Sequence, residues 1–237
     1  MVIKQYYSPA VSGDISGEAM IFKRGVGHLL DEIRQSILQS ELYISPRRTK
    51  TKGEGATGNK GLAEGMNAAF AASLTSLGWT KRTAPGASGE RAEIDWCKAV
   101  PAALAYGPKS IGIGLEIQFG NNYQFNEDFK RLSEAILEGT IVAGVSIVPS
   151  DELAKYKADR GASFSDAKSK LDRSLGILVG SGAATMPGFV LIGIGADGFT
   201  SAADGKFALT APVFDPKKPC SAGSISKKYF GTASLKS

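Results

Sequence analysis

Between residues 110 and 120 an apolar side chain falls at every second position. Ile111, Ile113, Leu115, Ile117 and Phe119 alternate with Gly112, Gly114, Glu116, Gln118 and Gly120. A period of two predicts a β-strand with one buried face. Glu116 and Gln118 then share the other face, beside glycines that leave room for something large to approach. An acid next to an amide on a rigid strand is a candidate site.

Elsewhere the period is helical. Leu29, Leu30, Ile33, Ile37 and Leu38 predict an amphipathic helix over 28–42. Leu62, Met66, Phe70, Leu74 and Leu77 predict a second, ended by Gly78 and followed by Trp79 as core or helix-end packing. Phe125, Phe129, Leu132 and Ile136 mark a third, reaching about Glu138. A helical turn is expected over 150–156, and Ser165 is expected to cap a helix running to about Leu175. Unbroken apolar runs at 141–148, closed by Pro149, and at 189–194 read as buried strands. Short strands are expected at 3–7, 93–98 and, weakly, 207–210. Strand, helix, strand from 110 to 148 implies a right-handed crossover and a mixed sheet. The fold class is therefore α/β, a central mixed β-sheet flanked by helices. One domain is expected over 1–195, with 196–237 a Gly-, Ala-, Ser-, Pro- and Lys-rich extension packed on it.

Composition narrows the picture only a little. A chain of 237 residues with 43% apolar residues can bury a full core, which excludes disordered and fibrous classes. No run approaches the ~18 apolar residues of a membrane span. The start, Met1 to Tyr7, lacks the apolar core of a signal peptide, so a cytoplasmic location is expected. Cys97 and Cys220 are too few for a disulfide framework or a cysteine zinc site. A net charge of +5 and a pI near 9.1 permit a polyanionic partner without requiring one. His28, the one histidine, stands at a helix start and is read as packing or capping.

Placement of charge is more informative. Arg47, Arg48, Lys50, Lys52 and Lys60 stand among glycines and threonines with a single acid, Glu54. Such a run is either a solvated loop or an arm along phosphates, with cations, hydroxyls and glycine amides as donors. A second acid-bearing strand, Glu93 to Lys98, precedes the first. A hairpin between them would bring Asp95 near Glu116.

Magnesium wants hard oxygens, and one or two carboxylates plus substrate phosphate suffice. Asp95, Glu116 and the backbone carbonyl of Ile117 would form such a half-shell. Gln118 cannot take a proton, so it could only orient water or a metal ligand. From spacing alone, an exposed sheet face without chemistry is an equal alternative.

Leu115-Glu-Ile-Gln-Phe-Gly-Asn121 with Tyr123, Phe125 and Phe129 following, and Ile94-Asp95-Trp96 before it, resembles the BglII/BstYI-type restriction endonucleases. The resemblance continues in His28–Ile33, Arg48–Lys52, Asn67–Phe70, Leu77–Trp79, Val145–Pro149, Glu152–Lys155 and Val190–Ile194. It implies a restriction-endonuclease-like core and a homodimeric, Mg2+-dependent type II enzyme that cuts short palindromic double-stranded DNA. It also implies a cognate DNA methyltransferase in the same host. By the same resemblance Asp95 and Glu116 match the metal-binding acids, and Gln118 matches the glutamine that replaces the lysine of most relatives. Asn121 and about Arg160 match base-reading positions, with Asn122 a further candidate beside Asn121; asparagine suits adenine and arginine suits guanine. Arg47, Arg48, Lys50, Lys52 and Lys60 become candidates for DNA backbone contacts. The link from Asp95 to Glu116 is longer than expected of the family, and Ile94 replaces its proline, so Glu93 stands as the alternative first ligand.

Two other readings stand beside this one. Gly193-Ile-Gly-Ala-Asp-Gly198 fits a dinucleotide fingerprint, which needs a helix directly afterwards. A DNA-binding protein without cleavage would have no use for two carboxylates facing phosphate.

Overall fold

The computed structural model describes residues 1–12, 15–46, 59, 61–84, 92–101, 110–120, 124–157, 163–180, 188–200 and 207–210. In chain order these form β1 (Val2–Tyr7), β2 (Ala10–Ser12), β3 (Ile15–Ser16), α1 (Gly17–Lys23), α2 (Gly27–Leu38), β4 (Leu42–Ile44) and α3 (Leu62–Ser76). Then follow β5 (Thr80–Ala84), β6 (Ala92–Pro101), β7 (Ser110–Ile117), α4 (Phe125–Leu137), β8 (Ala143–Pro149), α5 (Asp151–Ala154), α6 (Phe164–Gly180), β9 (Gly188–Gly195), β10 (Gly198–Phe199) and β11 (Ala208–Leu209).

The two unbroken apolar runs, β8 and β9, are buried at every position and lie in the middle of the main sheet. They pair in parallel, and β8 also pairs in parallel with β7. Antiparallel partners close both sides, β1 on β9 and β6 then β5 beyond β7, giving the six-stranded order β1-β9-β8-β7-β6-β5. Helices cover both faces. On one side α2 and α3 pack over Ile113, Leu115, Ile117 and Phe119. On the other, α4 and α6 pack over Ile94, Val148, Phe189 and Leu191. Among the described residues no helix is long and apolar enough to cross a membrane.

This two-sided cover corrects the expectation for β7. Positions 112–119 are all buried, and only at the end of the strand do Glu116, Ile117 and Gln118 border a cleft. The glycines of β7 make room for packing instead of a ligand: a Cβ on Gly114 would lie 2.8 Å from side-chain atoms of both Leu132 of α4 and Ile141, and one on Gly112 would lie 2.6 Å from the Lys98 carbonyl of β6. Gly114→Ala should therefore lower stability by about 1–3 kcal/mol through overpacking, read as a lower urea midpoint at unchanged slope.

Two element boundaries and the role of one residue also differ from the sequence pattern. The first long helix stops at Leu38, because Leu42 and Ile44 are buried on either side of exposed Tyr43 and belong to β4. The backbone N–H of Leu42 is taken by Asp197 Oδ2 at 2.7 Å, which a helix would not permit. The start of α6 is held by Ser163 Oγ, which accepts from Asp166 N at 3.3 Å, and by Asp151, which accepts from Ser165 N at 2.9 Å; Ser165 itself is not the cap. His28 lies exposed on α2, whose N-cap residue Val26 makes no side-chain cap bond, so His28 neither packs nor caps.

Residues beyond β9 return to the start of the chain. Strands β10 and β11 flank β4 in a three-stranded sheet, and Asp197 also binds the Met1 ammonium at 2.8 Å.

Candidate active site

The antiparallel register of β6 on β7 pairs Trp96 with Leu115. One step further along that ladder Asp95 stands opposite Glu116, as the hairpin reasoning expected. Asp95 is fixed by its own chemistry: Oδ2 accepts from the backbone N–H of Ile117 at 2.9 Å. Both acids line a cleft of about 500 Å³. Asn67, Ala68 and Ala71 of α3 form one wall, and Lys81 of β5 stands exposed on its rim. Glu93 lies on the same strand as Asp95, but its side chain is outside the described residues.

Helix α4 brings two groups that strand reasoning missed. Asp128 and Arg131, three residues apart and so on one helix face, both reach the cleft. Arg131 donates from Nε to Glu116 Oε1 at 3.2 Å and from Nη2 to Asp128 Oδ1 at 2.5 Å. The signal was present in the sequence. Asp128 interrupts the apolar stripe of Phe125, Phe129 and Leu132, and a carboxylate there is rarely buried unless it is paired.

Burial and crowding dominate the electrostatics. Glu116 is 1% exposed. Burial first, then repulsion from Asp95 and Asp128, pushes its carboxyl up to about 9, although Arg131 pulls the other way. Burial likewise raises Asp128 to about 6, with Arg131 and the Gln118 amide opposing. Burial works against the charge on Arg131, but Glu116, Asp128 and Asp95 hold it protonated.

Gln118 is committed to the protein at both ends of its amide. Nε2 donates to Gln124 Oε1 at 2.8 Å and lies 3.4 Å from Asp128 Oδ2, a weak contact at that length. Oε1 accepts from Gly120 N at 3.1 Å. The side chain thus braces the turn out of β7 against the start of α4.

The donor set fits a hard divalent cation. No group of three or more acidic, histidine or cysteine side chains among the described residues could hold a metal. Two carboxylates are present, however, and Asp95 Oδ1 and Glu116 Oε2 accept no hydrogen bond among the described residues. Two free carboxylate oxygens leave the remaining positions to water and phosphate, as Mg2+ prefers.

The expected DNA contacts Arg47, Arg48, Lys50, Lys52, Lys60, Asn121, Asn122 and Arg160 lie outside the described residues. The glycine-rich 193–198 stretch is a strand end. No described helix follows it, and a Cβ on Gly193 would meet Phe164 at 2.7 Å and Gln5 at 2.9 Å. The cavity beside it measures about 20 Å³, too small for a nucleotide.

A mixed sheet flanked by helices, with paired carboxylates from adjacent strands in a cleft, is the layout of the restriction-endonuclease-like fold. Residues 16–194 match the family model of restriction endonuclease BglII/BglIII, and the chain belongs to that family. It is thus a site-specific deoxyribonuclease, a hydrolase of DNA phosphodiester bonds. A search of curated proteins gave no match.

Proposed function

We propose that this endonuclease uses Mg2+ to hydrolyse phosphodiester bonds of double-stranded DNA at a short palindromic site, working as a homodimer in the cytoplasm. One observation carries the reading: Asp95 and Glu116 converge from paired strands and line the same cleft. Asp95, Glu116 and the Ile117 carbonyl would hold the ion. When bound, Mg2+ supplies Lewis-acid polarisation of the phosphate and a more acidic water.

The chain's own groups do the rest. The carboxylates orient whatever the cleft admits, and Arg131 balances two buried acids that would otherwise repel each other. Gln118, with no basic atom and an amide already engaged, supports the geometry instead of moving a proton. Lys81 adds positive charge at the rim, where a phosphate backbone would pass. Asn121, Asn122 and Arg160 read bases, and Arg47, Arg48, Lys50, Lys52 and Lys60 contact backbone. Residues 1–195 form the catalytic and DNA-binding domain, with 196–237 an extension on it. Host DNA must be protected from such an enzyme, so a methyltransferase of matching specificity is expected beside it.

Twofold assembly is supported by apolar side chains left open on neighbouring helices. Leu137 of α4 is 59% exposed and Ile177 of α6 is 67% exposed. Light scattering should give twice the 24.8 kDa chain mass, and a Leu137→Asp, Ile177→Asp double variant should fall to one chain mass.

The functional reading is tested by digesting a plasmid of known sequence. Discrete fragments that require Mg2+, are lost in EDTA and share a palindromic end sequence are expected. Unbroken plasmid, or a smear without common ends, would refute it.

A further inference from the structure

Among the described residues Arg131 is the one cation that touches Asp95 or Glu116, and its hydrogen bonds are unevenly made. Nη2 is tied to Asp128 Oδ1 at 2.5 Å, a short charge-assisted bond. Nε reaches Glu116 Oε1 only at 3.2 Å, beyond the usual length for an ionised donor and acceptor. Nη1 donates no hydrogen bond among the described residues. The Arg131 side chain is 23% exposed, against 2% for Glu116 and 4% for Asp128, and all three line the cleft.

The cleft is short of positive charge for its work. Asp95, Glu116 and Asp128 line it, against Lys81 at the rim and Arg131 beside the acids. In-line attack on a phosphodiester builds negative charge on the non-bridging oxygens, and fixed donors aimed there lower the barrier. Gln118 cannot supply charge, and its amide is engaged at both ends. Arginine stays protonated at any working pH, and its planar fork matches the oxygens of one phosphate. Asp128, three residues before Arg131 on α4, holds one arm of that fork and leaves the others able to turn.

We propose that Arg131 is a catalytic residue: held by Asp128, its guanidinium leaves Glu116 when DNA and the cation fill the cleft, and donates instead to a non-bridging oxygen of the scissile phosphate. This rests on the endonuclease reading above. Competition drives the exchange. A divalent ion beside Glu116 takes over the neutralisation of that carboxylate and repels the guanidinium, weakening a bond that is already long. The phosphate offers a charged acceptor in the same cleft, so the guanidinium is not left without a partner. One side chain thus serves two states. Without DNA it offsets the repulsion among the acids, and with DNA it faces the charge that develops on the phosphate.

The test couples Arg131 to a single phosphate. Duplexes carry the cut site, defined from fragment ends, with either the natural scissile phosphate or an uncharged methylphosphonate in its place. Binding is measured in Ca2+ for full-chain wild type and Arg131→Gln. Because that change leaves Asp128 without its counter-charge, the double variant Asp128→Asn, Arg131→Gln is measured beside it. Wild type should lose about tenfold more affinity on the methylphosphonate than either variant does, as expected when a charged hydrogen bond to that phosphate is present only in the wild type. With Mg2+ and natural DNA both variants should lose about 10²-fold or more in kcat, a larger change than the rise in KM. Arg131→Lys, which keeps a charge but not the fork, should fall between wild type and Arg131→Gln, and it carries the test where the others do not fold. A guanidinium that only holds the acids in place would give equal methylphosphonate losses in wild type and folded variants, and that result would overturn the proposal alone. A wild type that yields no discrete fragments would overturn the endonuclease reading and this proposal together.

Discussion

Glu116→Gln should make the protein more stable and nearly inactive at once. The loss of cleavage is expected to be roughly 10²–10³-fold or more, because a neutral amide removes one of the two carboxylates that face the cleft. DNA binding should persist, since glutamine keeps the size of a carboxyl that is already protonated below about pH 9. The stability gain follows from the buried acid. Folding raises the Glu116 carboxyl from 4.5 to about 9, so between those values the folded protein holds a proton that the unfolded chain releases. Stability supplied by that proton is complete below pH 4.5 and is lost as pH rises through 9. Glutamine avoids the loss. Melting curves should thus show little difference at pH 4.5 and an increasing advantage for the variant towards pH 9, reaching about 3–6 °C. A variant that melts lower than wild type at pH 8.5 would contradict the burial account, whatever its activity.

The same shift makes cation binding strongly dependent on pH. Below about 9 a cation must displace the proton that Glu116 holds, so observed affinity should rise about tenfold per pH unit. Calorimetric titration with Ca2+ at pH 6.5, 7.5 and 8.5 tests this, with buffers of different ionisation enthalpy reporting release of close to one proton. Asp128, raised to about 6, should steepen the dependence only towards the acid end. In Glu116→Gln the slope across pH 6.5–8.5 should vanish together with most of the affinity. A flat dependence in the wild-type protein would mean that Glu116 is not a ligand.

The pairing of Asp95 with Glu116 could be read from two acid-bearing strands in succession, because antiparallel geometry dictates which residues face each other. The central strands were equally legible, since apolar runs this short, closed by proline or glycine, have few other solutions in an α/β chain. What the pattern could not supply was the occupant of the second face of β7. Gly112 and Gly114 look alike in the pattern, yet a Cβ on Gly112 would meet the backbone of β6 and one on Gly114 would meet Leu132 of α4 and Ile141. Placing α4 there is also what delivers Asp128 and Arg131, so a miss about packing became a miss about the site. Leu42 was drawn into a helix because its partner, Asp197, is 155 residues away, and local periodicity carries no information over that span. The basic segment remains a matter of chemistry alone, because Arg47 through Lys52 lie outside the described residues.

Asp95 is the sharper of the two acids to interrogate, since Glu93 on the same strand could otherwise take its place. Wild type and Asp95→Asn should be incubated with plasmid and Mg2+, fragment ends sequenced, and DNA affinity measured in parallel. The wild type should give discrete ends and Asp95→Asn none, at an affinity equal to or above that of the wild type. Asp95→Asn cutting within about twofold of wild type would contradict the assignment of the paired carboxylates as the catalytic centre.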